Sequence, residues 1–318
     1  MLTDFSTAVN ELKNADKILI LTHRNPDGDT LGSGFALLRA LRQLGKRARL
    51  LNADPINEKY AHLYDGLTDD SFEEEFIVCV DIAEKKLLGD AFIEKYADRV
   101  DLSIDHHGTG KLFAKKTYVE PDSASACEIL FEVIKALGAK IDKGIADCIY
   151  TGCSTDTGCF KYSNVTARTH RIAAELIECG ADHSRINEKM FDTKSMNSIM
   201  FERMCYESLE CFAGGKVAVI TVTKEMLRNS GTDKSALDAI KPITRQIEGV
   251  EIGITVKEED AGKVGVSIRS GENYSASAIC AHFGGGGHER AAGCQFRGKT
   301  VEEVSGIVVD YIINEVIK

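Results

Sequence analysis

The chain has 318 residues, which is room for about two domains of ordinary size with cores that need no disulfide bonds. With 43% hydrophobic and 28% charged residues and only 4 prolines, its composition excludes a disordered, collagen-like or coiled-coil protein. The formal net charge of −10 at pH 7 argues against a groove that follows a long nucleic acid, because such grooves carry an excess of basic residues.

Neither a membrane-spanning segment nor an export signal is expected from the sequence. No apolar run approaches the roughly 18 residues of a membrane span, and the first residues carry neither a basic region nor a long apolar stretch. The 10 cysteines form no Cys-x-x-Cys pair and no zinc-like cluster. The prediction is a cytoplasmic protein with reduced thiols, most of them packed as small hydrophobic side chains.

In the first half of the chain, short apolar runs alternate with amphipathic helical patterns. Buried strands are predicted at residues 17–22, 48–52, 76–80 and 100–104, and helices at residues 30–44, 123–137 and 145–152. Strands and helices that alternate in this way build right-handed βαβ units around a parallel sheet. The predicted fold class is therefore α/β, with a doubly wound and mostly parallel sheet.

The second half has a different pattern. Residues 182–210 are polar and helical with no strand pattern, which predicts a linker made of one helix or of a pair of helices. Beyond the linker, strands are predicted at residues 216–222, 250–257 and 263–269, and helices at residues 233–247 and 275–283. The predicted organisation is a first domain at residues 1–185, a linker at residues 186–212 and a smaller α+β domain at residues 213–318.

Acidic and imidazole side chains follow the predicted strands of the first domain. They are His23, Asp27 and Asp29 after the first strand, Asp81 after the third, Asp105, His106 and His107 after the fourth, and Asp156 in a glycine- and threonine-rich turn after a helix. The carboxyl ends of the strands in an open α/β sheet meet at one edge, where such folds bind their ligands. We therefore expect these side chains to converge on one site.

The chemistry of these side chains is that of a metal site. Carboxylates this close raise one another's pKa unless a cation neutralises them. Oxygen ligands with a few imidazoles and no thiolate favour manganese over structural zinc, with magnesium or iron as the alternatives. Six candidate ligands are too many for one ion, whereas two divalent ions about 3.5–4 Å apart that share a carboxylate would use them all.

Each segment also has an ordinary structural explanation when it is taken alone. The Pro-Asp-Gly-Asp sequence at residues 26–29 is typical of a turn, and Asp81 at a strand end is typical of a helix cap. One of His106 and His107 would then be a hydrogen-bonded core residue. The joint arrival of all four segments at the ligand-binding edge favours the two-metal interpretation.

These motifs resemble those of the DHH phosphoesterases. The spacing His-x-x-x-Asp-x-Asp at residues 23–29, the isolated Asp81, the Asp-His-His sequence at residues 105–107 and the later Asp156 are similar to the four motifs of that family. The resemblance implies that one metal ion is held by His23, Asp27 and Asp81, and the other by Asp29, Asp81, His106 and Asp156, with Asp81 as the bridge. Asp105 would accept a hydrogen bond that fixes an imidazole, and His107 would face the substrate phosphate as a proton donor or an electrostatic clamp.

The second half resembles the DHH-associated C-terminal domain. The resemblance is carried by Val-Ser-Ile-Arg-Ser at residues 266–270, Gly-Gly-Gly-Gly-His at residues 284–288 and Ala-Ala-Gly at residues 291–293. The compact two-domain form is similar to the group of nanoRNases and 3′-phosphoadenosine 5′-phosphate phosphatases. The glycine sequence is predicted to form a rigid loop. This domain would recognise the substrate with Arg269, His288 and the backbone amides of Gly285, Gly286 and Gly287, which no side chain shields from an anion.

Two further features bear on substrate binding. Arg168 is a candidate for phosphate binding, with a solvated helix start as its alternative explanation. Glu289 and Arg290 follow His288 where the family pattern leads us to expect a proline or a small residue, so the selectivity of the pocket stays open.

The resemblance implies a two-metal phosphoesterase that hydrolyses very short RNA oligonucleotides to mononucleotides and dephosphorylates 3′-phosphoadenosine 5′-phosphate to AMP. The acidic net charge agrees with a short substrate, which needs no extended basic groove. Neither long nucleic acid nor a membrane is an expected partner, and a homodimer is an expectation at the level of the family. Two alternatives stay open: a phosphodiesterase of linear or cyclic dinucleotides with the same metals, and a non-catalytic nucleotide sensor.

Overall fold

In a computed structural model, the chain forms two compact units. The structure describes residues 1–68, 70–108, 110–232, 236–240 and 243–317. The first unit is Met1–Thr193 and the second is Lys194–Lys318. Each unit has its own sheet and its own apolar core. The division falls inside the segment predicted as a linker, and the domain boundaries drawn from the sequence stay predictions.

The first unit contains five strands and eight α-helices among its described residues. Its strands are β1 (Ile18–Leu21), β2 (Ala48–Leu51), β3 (Phe76–Val80), β4 (Leu102–Asp105) and β5 (Lys116–Val119). Its helices are α1 (Phe5–Asn14), α2 (Gly28–Gln43), α3 (Ala61–Tyr64), α4 (Asp90–Tyr96), α5 (Ala126–Leu137), α6 (Lys143–Asp156), α7 (Ala167–Glu178) and α8 (His183–Asn187).

The five strands form one parallel sheet in the order β2-β1-β3-β4-β5. All four residues of β1 are buried, as expected of a strand in a parallel sheet that is covered on both faces. Ile18 and Ile20 pack in the core shared with α2, α5 and α6, whereas Leu19 and Leu21 pack on the other face with Tyr96 of α4. The predicted α/β class with a doubly wound parallel sheet is confirmed. The strand order reverses between β1 and β3, which is where such sheets open a ligand-binding crevice.

Close packing of α2 against α6 depends on glycine. A Cβ atom on Gly32 would lie 2.4 Å from the carbonyl oxygen of Cys148, and one on Gly28 would lie 2.2 Å from Oγ1 of Thr155. Neither distance is compatible with a side chain, so the two helix backbones approach more closely than other residues would allow. This contact brings the start of α2 beside the end of α6.

The second unit is a mixed α+β domain, as predicted. Its strands are β6 (Glu210–Phe212), β7 (Val217–Val222), β8 (Ile252–Glu258), β9 (Lys263–Ser270), β10 (Gly286–His288) and β11 (Ala291–Arg297). Its helices are α9 (Met196–Glu207), α10 (Lys224–Ser230), α11 (Leu237–Ile240), α12 (Ala276–His282) and α13 (Val301–Tyr311). The sheet order is β10-β11-β9-β8-β7-β6, in which β7 and β8 are parallel and the other pairs are antiparallel.

Apolar clusters cover both faces of the second sheet. One cluster joins the sheet to α12 and α13, and the other joins β7 to Phe201 and Cys205 of α9. Among the described residues, no helix combines the length and the apolarity that a membrane crossing requires.

The segment predicted as a linker helix or a pair of helices contains two helices separated by a break. Helix α8 runs into a π-helical turn at Glu188–Asp192, the chain leaves helical structure at residues 193–195, and α9 then follows. Because Phe201 and Cys205 are buried in its core, α9 is part of the second unit rather than a free connection. Of the predicted helix at residues 233–247, positions 233–235 and 241–242 lie outside the described residues, and α11 and a 3₁₀ turn at Ile243–Arg245 occupy part of the rest.

Two other local predictions need correction. Asp156 is the last residue of α6 rather than part of a following turn, because Thr155 and Thr157 satisfy their hydroxyls within the helix backbone instead of breaking it. The glycine sequence at residues 284–287 is not a loop throughout, since Gly286 and Gly287 pair with β11 as part of β10. The edge strand β5 was missed because its sequence, Lys-Thr-Tyr-Val, carries no apolar run.

Candidate metal centre

The segment after β1 brings His23 and Asp27 together. Asp27 is the N-cap of α2, and its Oδ1 accepts hydrogen bonds from the amides of Asp29 (3.0 Å) and Thr30 (3.1 Å). The ordinary structural explanation for this segment was a turn, and the structure shows a helix cap at Asp27 instead. The same Asp27 Oδ1 lies 3.5 Å from Nε2 of His23, so the cap also faces an imidazole.

Asp81 occupies the centre of the site. It follows β3 with a φ of 57°, a left-handed conformation that is uncommon outside glycine and that occurs often at functional positions. Its Oδ1 lies 3.6 Å from Nε2 of His106, and its Oδ2 lies 3.6 Å from Nε2 of His23. Oδ1 is buried and has no hydrogen-bond partner among the described residues. One carboxylate thus presents one oxygen to each of two imidazoles.

In the Asp-His-His segment after β4, Asp105 orients the ring of His107, and His106 faces the candidate site. Oδ1 of Asp105 accepts hydrogen bonds from the amides of His106 (2.8 Å) and His107 (3.2 Å) and from Nδ1 of His107 (2.8 Å). Nδ1 of His106 instead lies 3.3 Å from the carbonyl oxygen of Ser123. When Nδ1 donates to that carbonyl, the lone pair of His106 Nε2 is free to bind a cation.

Asp29 and Asp156 complete the site from two helix ends. Asp29 lies in the first turn of α2, and its carboxylate accepts hydrogen bonds from the amides of Ala126 (2.7 Å) and Cys127 (2.9 Å) at the start of α5. Nε2 of His106 is 3.8 Å from Oδ2 of Asp29 and 3.6 Å from Oδ2 of Asp156. The close contact of α2 with α6 therefore places two carboxylates that are far apart in the sequence around one imidazole.

Burial and mutual repulsion raise the pKa values of these carboxyl groups. Burial, followed by the nearby charge of Asp29, raises the pKa of Asp81 well above its usual range and that of Asp156 to about 8. Burial also raises the pKa of Asp29. For Asp27, burial raises the pKa, but the nearby imidazole of His23 and the hydrogen bonds from the amides of Thr30 and Asp29 together outweigh it, and the net shift is downward. Carboxyl groups with raised pKa values ionise at neutral pH when a cation is among them.

The spacing of the side chains fits shared cations. Ligand atoms within 4.8 Å of one another form three groups: His23 with Asp27 and Asp81, Asp29 with His106 and Asp156, and Asp81 with His106 and His107. The imidazole-to-carboxylate distances in the first two groups, 3.5–3.8 Å, are longer than hydrogen bonds. The carboxylate of Asp81 reaches both groups, because Oδ2 faces His23 and the buried, unpartnered Oδ1 faces His106, so the donor set fits divalent cations.

His107 differs from the other candidate ligands. The atom that brings it near Asp81 is Nδ1, at 3.6 Å, and the same atom is hydrogen-bonded to Asp105. That hydrogen bond raises the pKa of His107 even though burial lowers it. A protonated imidazole donates a proton and does not bind a metal ion, so this side chain suits acid catalysis better than ligation.

Apart from Arg168, the residues predicted to bind substrate belong to the second unit, whereas all of the candidate metal ligands belong to the first. Arg269 of β9 and His288 of β10 both pair with positions of β11, through the shared residue Ala291. A Cβ atom on Gly285 would lie 2.3 Å from the carbonyl oxygen of Gly293, while one on Gly286 would meet nothing within 4 Å. Gly287 has a φ of 147°.

Arg168 lies in the first turn of α7 with its guanidinium already engaged. Nη1 donates to the carboxylate of Glu120 and lies 3.3 Å from Oγ of Ser123. Sequence reasoning missed Glu120 and Ser123 as partners of Arg168, because no sequence pattern marks a side chain that hydrogen-bonds to a residue far along the chain. The contribution of Ser123 to the site is its backbone oxygen, which any residue type would supply.

Comparisons with known proteins agree with this geometry. Residues 17–153 match the model of the DHH family N-terminal domain, and residues 214–314 match that of the DHHA1 domain. The bifunctional oligoribonuclease and PAP phosphatase NrnA of Thermus thermophilus is 30% identical over 306 residues, which cover 94% of this chain and 90% of that protein. The cyclic-di-AMP phosphodiesterase PdeA of Listeria monocytogenes is 23% identical over 96% of this chain and 49% of its own length.

A solved structure supports the same assignment. An exopolyphosphatase-related protein from Bacteroides fragilis is 26% identical, covers 96% of both chains and superimposes with a TM-score of 0.83. The two domain matches lie in the same order as the two units of the fold. The chain therefore belongs to the DHH phosphoesterase family, with a DHH domain followed by a DHHA1 domain.

Proposed function

We propose that this protein is a hydrolase of very short RNA oligonucleotides that releases mononucleotides and also dephosphorylates 3′-phosphoadenosine 5′-phosphate to AMP. The observation that carries the proposal is the buried carboxylate of Asp81, which faces His23 with Oδ2 and His106 with its unpartnered Oδ1. The name of the Thermus thermophilus relative supports the choice of substrates.

Two divalent cations satisfy the charge of the site. Asp27, Asp29, Asp81 and Asp156 carry four negative charges when ionised, and Asp105 is already paired with His107. His23, Asp27 and Asp81 would hold one ion, and Asp29, Asp81, His106 and Asp156 the other. We assign manganese to both positions, because the ligands are carboxylates and imidazoles without a thiolate. When bound, such ions stabilise negative charge on a phosphoryl group and lower the pKa of water.

The remaining side chains of the site supply orientation and a proton. Asp105 fixes the ring of His107 through Nδ1, and this hydrogen bond raises the pKa of His107 and so favours the protonated imidazole. His107 can then give its other ring proton to the oxygen that leaves the phosphorus atom. Ser123 fixes His106 through its carbonyl, and the amides at the start of α5 fix Asp29. Little reorganisation is therefore needed before reaction.

Recognition of the nucleotide is assigned to the second unit. Arg269 and His288 would contact a phosphate, and the backbone at Gly286, where a Cβ atom would meet nothing within 4 Å, would approach it. The amide of Gly285, which was also predicted to bind the phosphate, already donates a hydrogen bond to the carbonyl oxygen of Cys280. The guanidinium of Arg168 is bound to Glu120, so we assign no phosphate contact to Arg168. The acidic net charge of −10 is consistent with a short substrate. A homodimer stays a prediction.

Product analysis tests the proposal directly. Metal-stripped protein would receive manganese and, in parallel, an RNA dinucleotide, a long RNA, a cyclic dinucleotide and 3′-phosphoadenosine 5′-phosphate. We expect metal-dependent loss of the dinucleotide and of the bisphosphate, with the long RNA spared. The control is Asp98→Asn, which removes a charge from an exposed carboxylate outside the candidate site. No turnover of any of the four would contradict the proposal and favour a nucleotide sensor.

The name of the Listeria monocytogenes relative favours one alternative, a phosphodiesterase of cyclic dinucleotides. Such an enzyme would use the same cations and the same proton donor. It would differ in which substrate is consumed fastest at equal concentration. Faster loss of the cyclic dinucleotide than of the linear dinucleotide and the bisphosphate would select this alternative.

A further inference from the structure

The two residues that follow His288 form the turn of a hairpin. His288 of β10 pairs with Ala291 of β11, so Glu289 and Arg290 are the central residues of a two-residue connection. The favoured turns of this length need a positive φ at one or both central positions. Neither Glu289 nor Arg290 has a positive φ. The hairpin therefore lacks the usual local preference and depends on contacts from outside the turn.

Glu289 supplies contacts to the start of α12. Its carbonyl oxygen accepts a hydrogen bond from the amide of Ala276 at 2.8 Å. Its Oε2 lies 3.0 Å from Oγ of Ser275, the N-cap of α12, and 3.5 Å from Oγ of Ser277. The carboxylate thus joins the turn to the helix that precedes the glycine sequence.

Arg290 supplies contacts to the segment between β9 and α12. Its Nη1 donates to the carbonyl oxygens of Gly271 (2.5 Å) and Tyr274 (2.9 Å). Its own carbonyl oxygen accepts a hydrogen bond from the amide of Ser270 at 3.1 Å. The guanidinium therefore fixes the backbone that follows Arg269 directly, and hydrogen bonds from a charged group are stronger than neutral ones.

These contacts act on the two side chains assigned to the substrate. His288, Ala291 and Arg269 occupy one row across three strands, because Ala291 pairs with both of the others. Paired residues of an antiparallel sheet share a face, so His288 and Arg269 lie on one face about two strand spacings apart. The row lies next to the 289–290 turn, and β10 is an edge strand of only 3 residues.

We propose that Glu289 and Arg290 are positioning residues that hold His288 and Arg269 at the separation needed to bind the phosphate of the nucleotide substrate. This inference rests on the proposed function. It gives a role to the sequence departure after His288: the two charges are directed to the protein backbone and to serine hydroxyls rather than to the substrate.

The test compares KM and kcat for 3′-phosphoadenosine 5′-phosphate in the full chain. Arg290→Ala and Glu289→Ala are expected to raise KM about tenfold with kcat within twofold of wild type, because the chemistry depends on the first unit. Glu289→Gln keeps an oxygen that accepts from Ser275 and Ser277, so its KM should stay near that of wild type. The matched control is Arg297→Ala, an exposed arginine at the other end of β11.

A double-mutant cycle separates positioning from general stabilisation of the domain. In an Arg269→Ala background, Arg290→Ala should raise KM by less than about threefold, since the group whose backbone Arg290 fixes is absent. An undiminished tenfold effect in that background would overturn the inference, as would an unchanged KM in Arg290→Ala and Glu289→Ala. Should Arg290→Ala fail to fold by circular dichroism, the comparison of Glu289→Ala with Glu289→Gln decides. Inactive wild-type protein would overturn the proposed function itself.

Discussion

The metal-site side chains of the first unit and the row of His288 and Arg269 in the second unit are held in place by different means. The metal-site residues follow buried strands or lie at helix ends, and their partners are backbone amides and carbonyls of buried segments. The row in the second unit includes the short edge strand β10, whose turn depends on exposed side-chain contacts. The first arrangement suits chemistry that must not vary, and the second suits recognition that can change by substitution of one or two exposed residues.

The largest expected effect comes from substitution of Asp81, whose carboxylate lies near imidazoles of both groups of candidate ligands. Asp81→Asn keeps the size of the side chain and removes the charge shared by both groups of ligands. We expect kcat to fall by at least about a thousandfold, which corresponds to about 4 kcal/mol of lost transition-state stabilisation. The measurement is single-turnover hydrolysis of an RNA dinucleotide, with manganese affinity followed by calorimetry. A kcat within tenfold of wild type would remove Asp81 from the mechanism.

His107 should give the next largest effect. His107→Ala is expected to lower kcat by about 10²–10⁴-fold, the usual contribution of a positioned acid. In Asp105→Asn the hydrogen bond that raises the pKa of His107 loses its charged partner, so that pKa should fall. Because the acid must be protonated, the alkaline limb of the kcat–pH profile should move to lower pH. A limb that stays in place would show that another group donates the proton.

Removal of metal should make the stability of the protein depend on pH in one direction. The pKa of Asp156 is about 8 in the fold, against an ordinary value of 3.8. The pKa values of Asp81, His23 and His107 are also raised. A group whose pKa is raised by folding stabilises the fold below its unfolded pKa and loses that contribution as pH rises through its folded pKa. Metal-free protein should therefore lose about 2 kcal/mol, or about 4–8 °C in Tm, between pH 5 and pH 8.

Manganese should reverse this loss, because the cations stabilise the ionised carboxylates. The rise in Tm on addition of manganese is expected to be larger at pH 8 than at pH 5. Asp156→Asn should flatten the pH dependence of the metal-free protein. A Tm of the metal-free protein that rises from pH 5 to pH 8 would contradict the assignment of raised pKa values.

The sequence indicated which side chains would meet in the candidate metal site, but not the backbone groups that hold those side chains in place. Residues that follow apolar runs, such as Asp81 and His106, reach one edge of the sheet because parallel strands share a direction. The six predicted ligand side chains all belong to the groups that the structure brings together. The carbonyl of Ser123 and the amides at residues 126 and 127 leave no trace in the sequence, since every residue type has them.

The same limit applies to the second unit. The motif Gly-Gly-Gly-Gly-His indicated where substrate recognition would lie, but it also led to the prediction of a loop where β10 forms. The acceptors of Arg290, the carbonyls of Gly271 and Tyr274, depend on the path of the chain between β9 and α12. A charge pair in the sequence predicts an exposed surface. Only the structure shows that Arg290 binds backbone carbonyls and that Glu289 binds serine hydroxyls.

The smallest expected effects come from alanine substitutions of one glycine in each unit, Gly32 in the first and Gly286 in the second. Gly32→Ala would place a Cβ atom 2.4 Å from the carbonyl oxygen of Cys148, so we expect a loss of about 1–3 kcal/mol of unfolding free energy. Gly286→Ala meets nothing within 4 Å, and its Tm should stay within about 2 °C of wild type. Its Cβ atom would nevertheless hinder the approach of an anion to the backbone, so KM for the bisphosphate should rise severalfold. Denaturant unfolding and steady-state kinetics on both variants check this. If Gly286→Ala destabilised the fold as much as Gly32→Ala, the glycine of the edge strand would be serving packing rather than recognition.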